Sequence, residues 1–426
     1  MRKQLPPDEL KSWLASQLPA ALDLLRRMVE INSWTENREG VNRLARLTAE
    51  SFAPFGFTGE LVPSANPQWG DHLVLTRPGV THRSIAMVSH LDTVFPPEEE
   101  ARHNFRWQPE GNRIYGPGTE DIKGGTVMMW LVLAALHELA PAIFQKITWK
   151  LFFNSSEETL SHDFGELCRR RCDAGTLAAL VFEAEGKVND QRALVVARKG
   201  RATWRITVTG RGAHAGALHE RGANAIVQLG RTLDRVAALT DYTRALTFNP
   251  GRIRGGTGLN RVPHEAVAEG ELRAFSPDVY AQAKADLLAL NGPGDVRSSA
   301  DGFACRVAVE ILSESRPWPR NPGTDRLFEL WRATASDLGM PLVAEERGGL
   351  SDGNLLWDAV PTLDGLGPRG DHGHCSERSG NGSKLPEYVE VNSFVPKATL
   401  NVLALLRLIP FKGVGAFTGG AAAEDS

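Results

Sequence analysis

The sequence has few cysteines, no long apolar run and almost no excess of charge of one sign. Cys168 and Cys172 could form half of a metal site or a redox pair, but Cys305 and Cys375 offer no matching pair, which favours unreactive thiols. No run of about 18 apolar residues occurs, which argues against a membrane-spanning helix. The 48 basic and 51 acidic residues nearly cancel and no dense basic tract occurs, so we expect neither a nucleic-acid nor a membrane partner.

The first residues of the chain do not have the pattern of a secretory signal peptide. Residues 1–16 are polar and include Pro6 and Pro7, so they lack the apolar core of a signal peptide. We therefore expect a cytoplasmic protein whose partners are small molecules. Its 426 residues are more than one hydrophobic core usually serves, which predicts two domains.

Apolar periodicity predicts alternating helices and strands in the first part of the chain. Helices are expected over residues 18–29, 41–52 and 124–136, and strands over 84–89, 147–153 and 179–182. Such alternation is typical of an α/β domain built on a mostly parallel sheet.

A different pattern begins at Ala202, where Trp204, Ile206 and Val208 alternate with polar residues. The elements that follow have the order βαββαβ, which is typical of a ferredoxin-like α+β fold with both helices on one face of the sheet. Since its first and last strands would be neighbours, this fold can be an insertion, and we place it at residues 199–315. The α/β pattern then resumes, which predicts a discontinuous domain of residues 1–198 and 316–412 and a flexible Gly/Ala-rich tail at 413–426.

Histidine and acidic residues follow three of the predicted strands. His90 and Asp92 come at the end of the first, Glu157 and Glu158 after the second, and Glu183 at the end of the third. Taken alone, a His-x-Asp or a Glu-Glu pair is usually an ordinary polar loop. The carboxyl ends of parallel strands meet at one edge of the sheet, however, and adjacent carboxylates there are costly unless a positive charge lies beside them. The repetition therefore favours a metal site.

Two glycine-rich loops offer further ligands. Residues 115–125, Tyr-Gly-Pro-Gly-Thr-Glu-Asp-Ile-Lys-Gly-Gly, lead into a predicted helix but lack the spacing of a phosphate-binding loop, and their acidic residues, including Asp121, suit a cation better. The later loop, residues 367–377, contains His372 and His374, and spacing alone does not choose between them.

Taken together, these motifs resemble those of the M20 family of metallopeptidases, which includes glutamate carboxypeptidase, succinyl-diaminopimelate desuccinylase and aminoacylase. The resemblance covers nearly the whole chain, and five separated motifs occur in the family's order. It implies a zinc-peptidase-like α/β catalytic domain, with the ferredoxin-like insertion as a lid and dimerisation domain. It also implies two Zn²⁺ ions per subunit, with Co²⁺ or Mn²⁺ as substitutes, bound by His90, Asp121, Glu158, Glu183 and His374.

The resemblance also assigns roles around these ligands. Asp121 would bridge both metals, Asp92 would lie behind His90, and Glu157 would be the general base. His372 would then be a bystander or a supporting residue. Glutamate rather than aspartate at position 183 is typical of the family's carboxypeptidases and acylases.

The insertion carries the family's lid signature in residues 212–216 and 255–263. In relatives a lid histidine reaches the active site of the partner subunit and stabilises the oxyanion, which implies this role for His214 and implies a homodimer. Asn260 and Arg316 would hold the substrate carboxylate, with Arg273 as an alternative. Asn224 also matches the signature and is a further candidate for substrate binding.

Three departures from the family pattern occur, and none removes a ligand or the base. Asn-Ser-Ser-Glu-Glu at residues 154–158 replaces Thr-Asp-Glu-Glu, and Gly-Pro-Gly at 116–118 replaces Gly-Arg-Gly. Leu218-His219 stands where relatives often have a proline. These departures bear on fine specificity rather than on the reaction.

The expected function is hydrolysis of an amide bond next to a free carboxylate, in a small peptide or an N-acyl amino acid. Metal-activated water would attack the carbonyl, and Glu157 would transfer the proton. Other interpretations are an aminopeptidase or dipeptidase of the same family, or a catalytically inactive metal-binding or regulatory protein on the same scaffold. The inactive protein is disfavoured because a decayed site would be expected to lose Glu157 or a ligand first.

Overall fold

The computed structural model describes residues 5–159 and 161–409. Contacts along the backbone divide them into two compact units. The first unit comprises the described residues up to Val196, then Arg320–Glu346, and the described residues from Ser351 onward. The second unit comprises Ala197–Pro319 together with Arg347–Leu350. The tail expected at 413–426 lies outside the described residues.

The described residues form helices and strands in the following chain order. The helices are α1 (Pro7–Val29), α2 (Arg38–Phe52), α3 (Pro97–His103), α4 (Lys123–Leu139), α5 (Pro141–Phe144), α6 (His162–Arg171), α7 (Ala225–Ala237), α8 (Pro277–Leu288), α9 (Pro322–Asp337) and α10 (Phe394–Leu408). The strands are β1 (Thr58–Val62), β2 (His72–Arg77), β3 (Ser84–His90), β4 (Gln108–Glu110), β5 (Arg113–Tyr115), β6 (Thr148–Asn154), β7 (Thr176–Val181), β8 (Gly186–Val188), β9 (Gln191–Arg198), β10 (Gly200–Thr209), β11 (Thr247–Gly255), β12 (Glu265–Ala274), β13 (Gly292–Arg297), β14 (Ala304–Ser315), β15 (Leu342–Arg347), β16 (Thr362–Leu363), β17 (Gly370–Asp371) and β18 (Tyr388–Glu390). Of these helices, none is both long enough and apolar enough to cross a lipid bilayer.

The first unit is built on a six-stranded sheet in the order β1-β2-β6-β3-β7-β16. Neighbours among β6, β3, β7 and β16 pair in parallel, whereas β2 pairs antiparallel with both β1 and β6. Every residue of β3 is buried, as expected for the middle strand of a parallel sheet that is covered on both faces. The expected α/β fold with a mostly parallel sheet is confirmed.

Alternate residues of these strands face two different cores. Met87 and Leu151 belong to the larger core, which also contains buried side chains of α1, α4, α9 and α10. Val88 and Phe152 belong to a smaller core that contains side chains of α6. Because successive side chains of a strand point to opposite faces, the two cores lie on opposite sides of the sheet. Each fully buried apolar side chain of this size contributes about 1.5–3 kcal/mol to folding.

Two small sheets complete the first unit, and the sequence did not predict them. One has the order β15-β9-β8 and the other the order β17-β18-β5-β4. Most of these strands have only two or three residues, which is too short for a periodic apolar pattern. The second small sheet matters for function because the loop with His374 connects β17 to β18.

The second unit has one antiparallel sheet in the order β11-β12-β10-β14-β13. Its core contains Trp204, Ile206 and Val208 of β10 together with apolar residues of α7 and α8. The expected ferredoxin-like arrangement is confirmed, and β10 and β14 are neighbours as an insertion requires. The strand β13 is an addition that the sequence did not predict, because its Gly-Pro-Gly start is a poor strand former.

Gly270 allows a close approach between strands of the second unit, and its replacement tests this packing. An added Cβ would lie 2.3 Å from the carbonyl oxygen of Asn249 and 2.4 Å from Cζ2 of the buried Trp204. We expect Gly270→Ala to lower the free energy of unfolding by about 1–3 kcal/mol, because neither neighbour can move freely. Thermal and urea denaturation measure the effect. The control is Gly348→Ala in the same unit, where an added Cβ meets nothing within 4 Å; equal stability of both variants would contradict the prediction.

Candidate metal centre

Three neighbouring parallel strands end at one edge of the first unit's sheet and bring four predicted site residues there. His90 is the last residue of β3, and Glu183 follows β7. Glu157 and Glu158 follow β6 in a single 3₁₀ turn, Glu157–Thr159. Since β3 lies between β6 and β7, His90 stands between the two acidic strand ends.

Five side chains form two groups of metal-ligand type that share Asp121. In the first group, His90 Nε2 lies 2.8 Å from Asp121 Oδ1 and 3.9 Å from Glu183 Oε1. In the second, His374 Nε2 lies 3.2 Å from both Asp121 Oδ2 and Glu158 Oε2. The ligand atoms of each group lie within 4.8 Å of one another. The two oxygens of Asp121 therefore face different groups, as those of a bridging carboxylate do.

The electrostatics of both groups favour bound positive charge. Hydrogen bonds to Asp121 and Glu158 raise the pKa of His374 to about 11. Burial, with the nearby charge of Asp121, raises the pKa of Glu158 to about 7. Burial alone would raise the pKa of Asp121 too, but the hydrogen bonds from His374 and His90 outweigh it and hold that pKa below its ordinary value. The carboxylates thus stabilise cations beside them.

A buried oxygen supports a cation at the second group. Glu158 Oε1 is buried and has no hydrogen-bond partner in the part of the chain that the structure describes. A buried, unpaired carboxylate oxygen is costly, and a bound cation removes this cost. Imidazole nitrogens and carboxylate oxygens are also common ligands of Zn²⁺. The five side chains therefore fit divalent metal ions in their charge and in their chemistry.

Asp92 supports the strand ends through both its carboxylate and its backbone. Its Oδ1 accepts a hydrogen bond from the backbone N–H of Glu157 at 3.0 Å, and its Oδ2 accepts one from that of Glu158 at 3.2 Å. The predicted contact with His90 differs in detail, because Nδ1 lies 3.0 Å from the carbonyl oxygen of Asp92 and 3.4 Å from its carboxylate. Donation from Nδ1 to that carbonyl leaves Nε2 of a neutral His90 as the nitrogen that faces Asp121.

Glu157 lies beside the ligand groups without belonging to either. Burial raises the pKa of its carboxyl group well above the ordinary value; His90 opposes this shift, while the charges of Glu158 and Asp352 add to it. A raised pKa makes a carboxylate a stronger base than an ordinary one, so it takes up a proton more readily. This is the behaviour that the predicted general base requires.

An array of the half-buried Asp163 with the buried His72 and Ser155 holds the chain just before Glu157. His72 Nε2 lies 3.1 Å from Asp163 Oδ2, and its Nδ1 accepts a hydrogen bond from the backbone N–H of Ser155 at 3.1 Å. These residue types are those of a serine-hydrolase triad. Ser155 is fully buried, however, and its hydroxyl donates to the carbonyl oxygen of Gly70 at 2.8 Å. The array is therefore structural and fixes the turn that carries the proposed base.

Asp121 is positioned from two sides. The buried Glu387 accepts hydrogen bonds at its Oε1 from the backbone N–H groups of Glu120 and Asp121, at 2.8 and 3.1 Å. On the other side, Gly125 in the first turn of α4 packs on the end of β7, where an added Cβ would lie 2.0 Å from the carbonyl oxygen of Phe182. This close approach brings the loop of Asp121 next to Glu183.

His374 has the weakest support from regular structure among the five. It lies in the loop between β17 and β18 with a left-handed φ of 66°, and its side chain is 55% exposed, compared with 1% for His90. His372 belongs to neither ligand group, and its ring lies beside that of Tyr388 with a centroid distance of 5.9 Å. Of the two histidines that spacing could not separate, the structure brings His374 to Asp121.

The other predicted residues lie in the second unit, at opposite ends of its sheet. His214 and Asn260 lie beyond the end of β10 at Thr209 and are adjacent, since the backbone N–H of Ala215 donates to the carbonyl oxygen of Asn260 at 2.9 Å. Arg273 and Arg316 lie at the opposite end, where Arg201 of β10 pairs with Arg273 and with Ser315. Because β10 has 10 residues, its two ends are roughly 30 Å apart.

The local contacts of His214 suit a hydrogen-bond donor. Its Nδ1 accepts hydrogen bonds from the backbone N–H groups of Gly216 and Ala217, at 3.1 and 3.0 Å. The proton of a neutral imidazole is then on Nε2. The exposed ring of His214 therefore presents an N–H group to its surroundings.

Two further candidates have local structural partners. Asn224 is the N-cap of α7, and its side chain accepts hydrogen bonds from the backbone N–H groups of Ile226 and Val227 at 3.0 and 3.2 Å. The guanidinium of Arg273 contacts both carboxylate oxygens of Glu271, at 2.8 and 3.1 Å. For both residues, substrate binding stays a prediction.

Sequence reasoning missed the residues that hold the ligands in place. Glu387 and His72 stand outside any recognisable motif. Asp352 lies in a visible Ser-Asp-Gly sequence, but its contact with the end of β6, where Asn154 Nδ2 donates to its Oδ1 at 2.7 Å, had no signal in the spacing. Burial raises the pKa of Asp352 to about 7.

Comparisons with known proteins match most of the insertion and, separately, nearly the whole chain. Residues 196–290 match the peptidase dimerisation domain family. Over 400 residues the chain is 26% identical to carboxypeptidase G2 of Pseudomonas sp. (strain RS-16), and the alignment covers 93% of this chain and 90% of that protein.

Solved structures share the fold along nearly its full length. Aminopeptidase PepT from Bacillus cereus superposes with a TM-score of 0.71 at 20% identity, covering 92% of this chain and 98% of that chain. An M20 family metallo-carboxypeptidase from Sulfolobus solfataricus superposes with a TM-score of 0.67 at 15% identity, covering 92% and 99%. At these identities the likeness establishes the fold alone.

Proposed function

Because this chain belongs to the M20 family of metallopeptidases, we propose that it is a two-metal hydrolase that cleaves an amide bond next to a free carboxylate. The family establishes a metal-dependent peptidase or amidohydrolase. The observation that carries the proposal further is the pair of ligand groups that share Asp121, with Glu157 in the adjoining turn.

Each ligand group would hold one ion. His90, Asp121 and Glu183 would bind the first, and Asp121, Glu158 and His374 the second. We favour Zn²⁺, with Co²⁺ or Mn²⁺ as substitutes, because both groups combine one imidazole with two carboxylates. Such ions polarise a scissile carbonyl and lower the pKa of water.

The side chains around these groups would move the proton and set the geometry. Glu157 would take a proton from the attacking water and give it to the leaving amine, and its raised pKa suits both steps. Asp92 would keep Glu157 separate from Glu158, since it binds the backbone N–H of each. His214 would donate its Nε2–H to the oxyanion of the tetrahedral intermediate.

The substrate would carry a carboxylate next to the scissile bond. A guanidinium binds a carboxylate through two parallel hydrogen bonds, which suits Arg316 or Arg273 for this end group. Carboxypeptidase G2, by its name, supports release of a C-terminal amino acid. N-acyl amino acids present the same carboxylate and amide, so a screen of dipeptides and N-acyl amino acids separates the two substrate classes.

A homodimer would bring both ends of the second unit's sheet to one substrate. His214 and Asn260 lie roughly 30 Å from Arg273 and Arg316 within one unit, too far for one small molecule. In a dimer this distance is no obstacle if one subunit contributes His214 and Asn260 to the active site of the other. The match to a peptidase dimerisation domain and the exposed Ile253 on the edge strand β11 support such an association.

Replacing the proposed base should abolish turnover and leave the metals in place. Glutamine keeps the size of Glu157 but cannot accept a proton, so we expect kcat of Glu157→Gln to fall by about two to four orders of magnitude. Steady-state kinetics on the best substrate of the screen, together with metal content by mass spectrometry, measure both effects. The control is Glu166→Gln, an exposed glutamate of α6. Near-normal kcat in Glu157→Gln would remove this residue from the role of base.

The two ligand groups predict a pattern of metal loss. Asp121→Asn should weaken the binding of both ions, because each group contains Asp121. His90→Ala and His374→Ala should each lower the binding affinity for one ion and leave the other ion bound. Competition with a chromophoric chelator measures the two affinities in each variant. An Asp121→Asn protein that keeps both ions at the affinity of the natural chain would contradict the bridging role.

Mixing two inactive variants tests whether His214 acts in the other subunit. Homodimers of Glu157→Gln and of His214→Ala should each be nearly inactive. After dissociation and reassociation, half of the dimers carry one subunit of each kind, and one of their two sites has both Glu157 and a functional His214. About a quarter of the full activity should return. If His214 served its own subunit, no activity would return.

A further inference from the structure

Ser376 lies two residues after His374, and its contacts play no part in the proposed reaction. Its side chain is buried, whereas the next residue, Glu377, is exposed. Ser376 Oγ lies 2.7 Å from Nδ1 of His103 and is hydrogen-bonded to Oε1 of Glu99. Both partners belong to α3 and are four residues apart, so they lie on the same face of this helix.

The chemistry of the three groups fixes the direction of each hydrogen bond. A carboxylate can only accept, so the hydroxyl of Ser376 donates its proton to Glu99. The hydroxyl oxygen then accepts from the Nδ1–H of His103. The bond to an ionised carboxylate is of the stronger, charge-assisted kind. Ser376 therefore joins the His374 loop to α3 through two complementary bonds.

The rest of the loop closes on itself just after His374. The backbone N–H of Glu387 donates to the carbonyl oxygen of Cys375 at 2.8 Å. The two ends of the segment 376–386 therefore lie next to each other. The far part of this excursion contacts β4 through the ion pair of Arg378 with Glu110, which is partly exposed and therefore weak. The buried contact that lies next to the histidine is that of Ser376 with α3.

We propose that Ser376, Glu99 and His103 position His374 and thereby set the metal affinity of the group that it forms with Asp121 and Glu158. The inference rests on the two-metal function proposed above. His90 and Glu183 lie at the ends of sheet strands, whereas His374 lies in an exposed loop with a left-handed backbone. Loss of the Ser376 hydrogen bonds to α3 allows that loop to move. The metal bound by His374 is then held less tightly, and the metal bound by His90 is unaffected.

Truncation of the serine tests the inference through metal binding rather than activity. In Ser376→Ala we expect the affinity for Zn²⁺ at one of two groups to fall about ten- to a hundredfold, the usual effect of losing a contact behind a ligand. The group that loses affinity should be the same one that loses affinity in His374→Ala. The other group is identified as the one that loses affinity in His90→Ala. Competition titrations with a chelator give both affinities, and thermal denaturation of the metal-free proteins shows that the variants are folded.

Matched variants separate positioning from a general effect of mutation. Ser383→Ala changes an exposed serine of the same loop. Among residues 5–159 and 161–409 its side chain hydrogen-bonds within the loop, to Asn381 and Ser379, so this variant should bind both ions normally. Ser376→Thr keeps the hydroxyl and should retain most of the affinity. Glu99→Ala removes the same bond from the side of α3 and should weaken the same group, whereas Glu98→Ala, at an exposed neighbour, should not.

The double variant Ser376→Ala with Glu99→Ala should lose no more affinity than Ser376→Ala alone, since the serine variant already lacks the bond to Glu99 as well as the bond to His103. Unchanged affinity at both groups in Ser376→Ala and Glu99→Ala would overturn the inference, and so would an equal loss at both groups. If Ser376→Ala does not fold, the comparison of Glu99→Ala with Glu98→Ala decides alone. A natural chain that binds no metal at all contradicts the proposed function itself, before any variant is compared.

Discussion

The mutual repulsion of Asp121, Glu158 and Glu183 is the constraint on which the arrangement of this site depends. Three carboxylates are held at one edge of a sheet, and two of them, Asp121 and Glu158, face His374 and raise the pKa of its imidazole. Side chains that repel one another move apart unless their backbones are fixed. The structure fixes them with buried acceptors: Asp92 binds the N–H groups at Glu157 and Glu158, and Glu387 binds the N–H of Asp121. The cost of these buried acids is offset by the same backbone donors.

In the proposed function, the division of the chain into two units would separate the residues of the reaction from those that select the substrate. The first unit provides a parallel sheet whose strand ends converge, and a helix that approaches them closely because Gly125 has no side chain. The second unit provides a long antiparallel strand, β10, which holds His214 and Arg316 far apart. This arrangement suits an enzyme whose active site is completed by a second subunit. The distance between His214 and Arg316 is then set by the length of one strand.

The sequence predicted those parts of the fold that leave a periodic trace. The apolar run at 84–89 became the buried β3, and the alternation from Trp204 became β10. The two- and three-residue strands of the small sheets and the strand β13 were not predicted, because short or Gly-Pro-rich strands carry no such periodic pattern. Glu387 and His72 were not predicted for another reason. They accept hydrogen bonds from backbone N–H groups 267 and 83 positions away in sequence, and no local pattern indicates such contacts. The roles of the ligands, the limits of the domains and the cytoplasmic location stay predictions.

The packing of α10 has a consequence for the order in which the molecule is completed during synthesis. This helix packs on α1 and α4, so the main core of the first unit closes only after nearly all of the described chain has left the ribosome. The second unit is almost continuous in sequence and is able to form its sheet earlier. A nascent chain would therefore display His90, Asp121, Glu158 and Glu183 before it possesses His374. Because the core that positions these side chains closes later still, with α10, the five would come together only near the end of translation, when all of them are present.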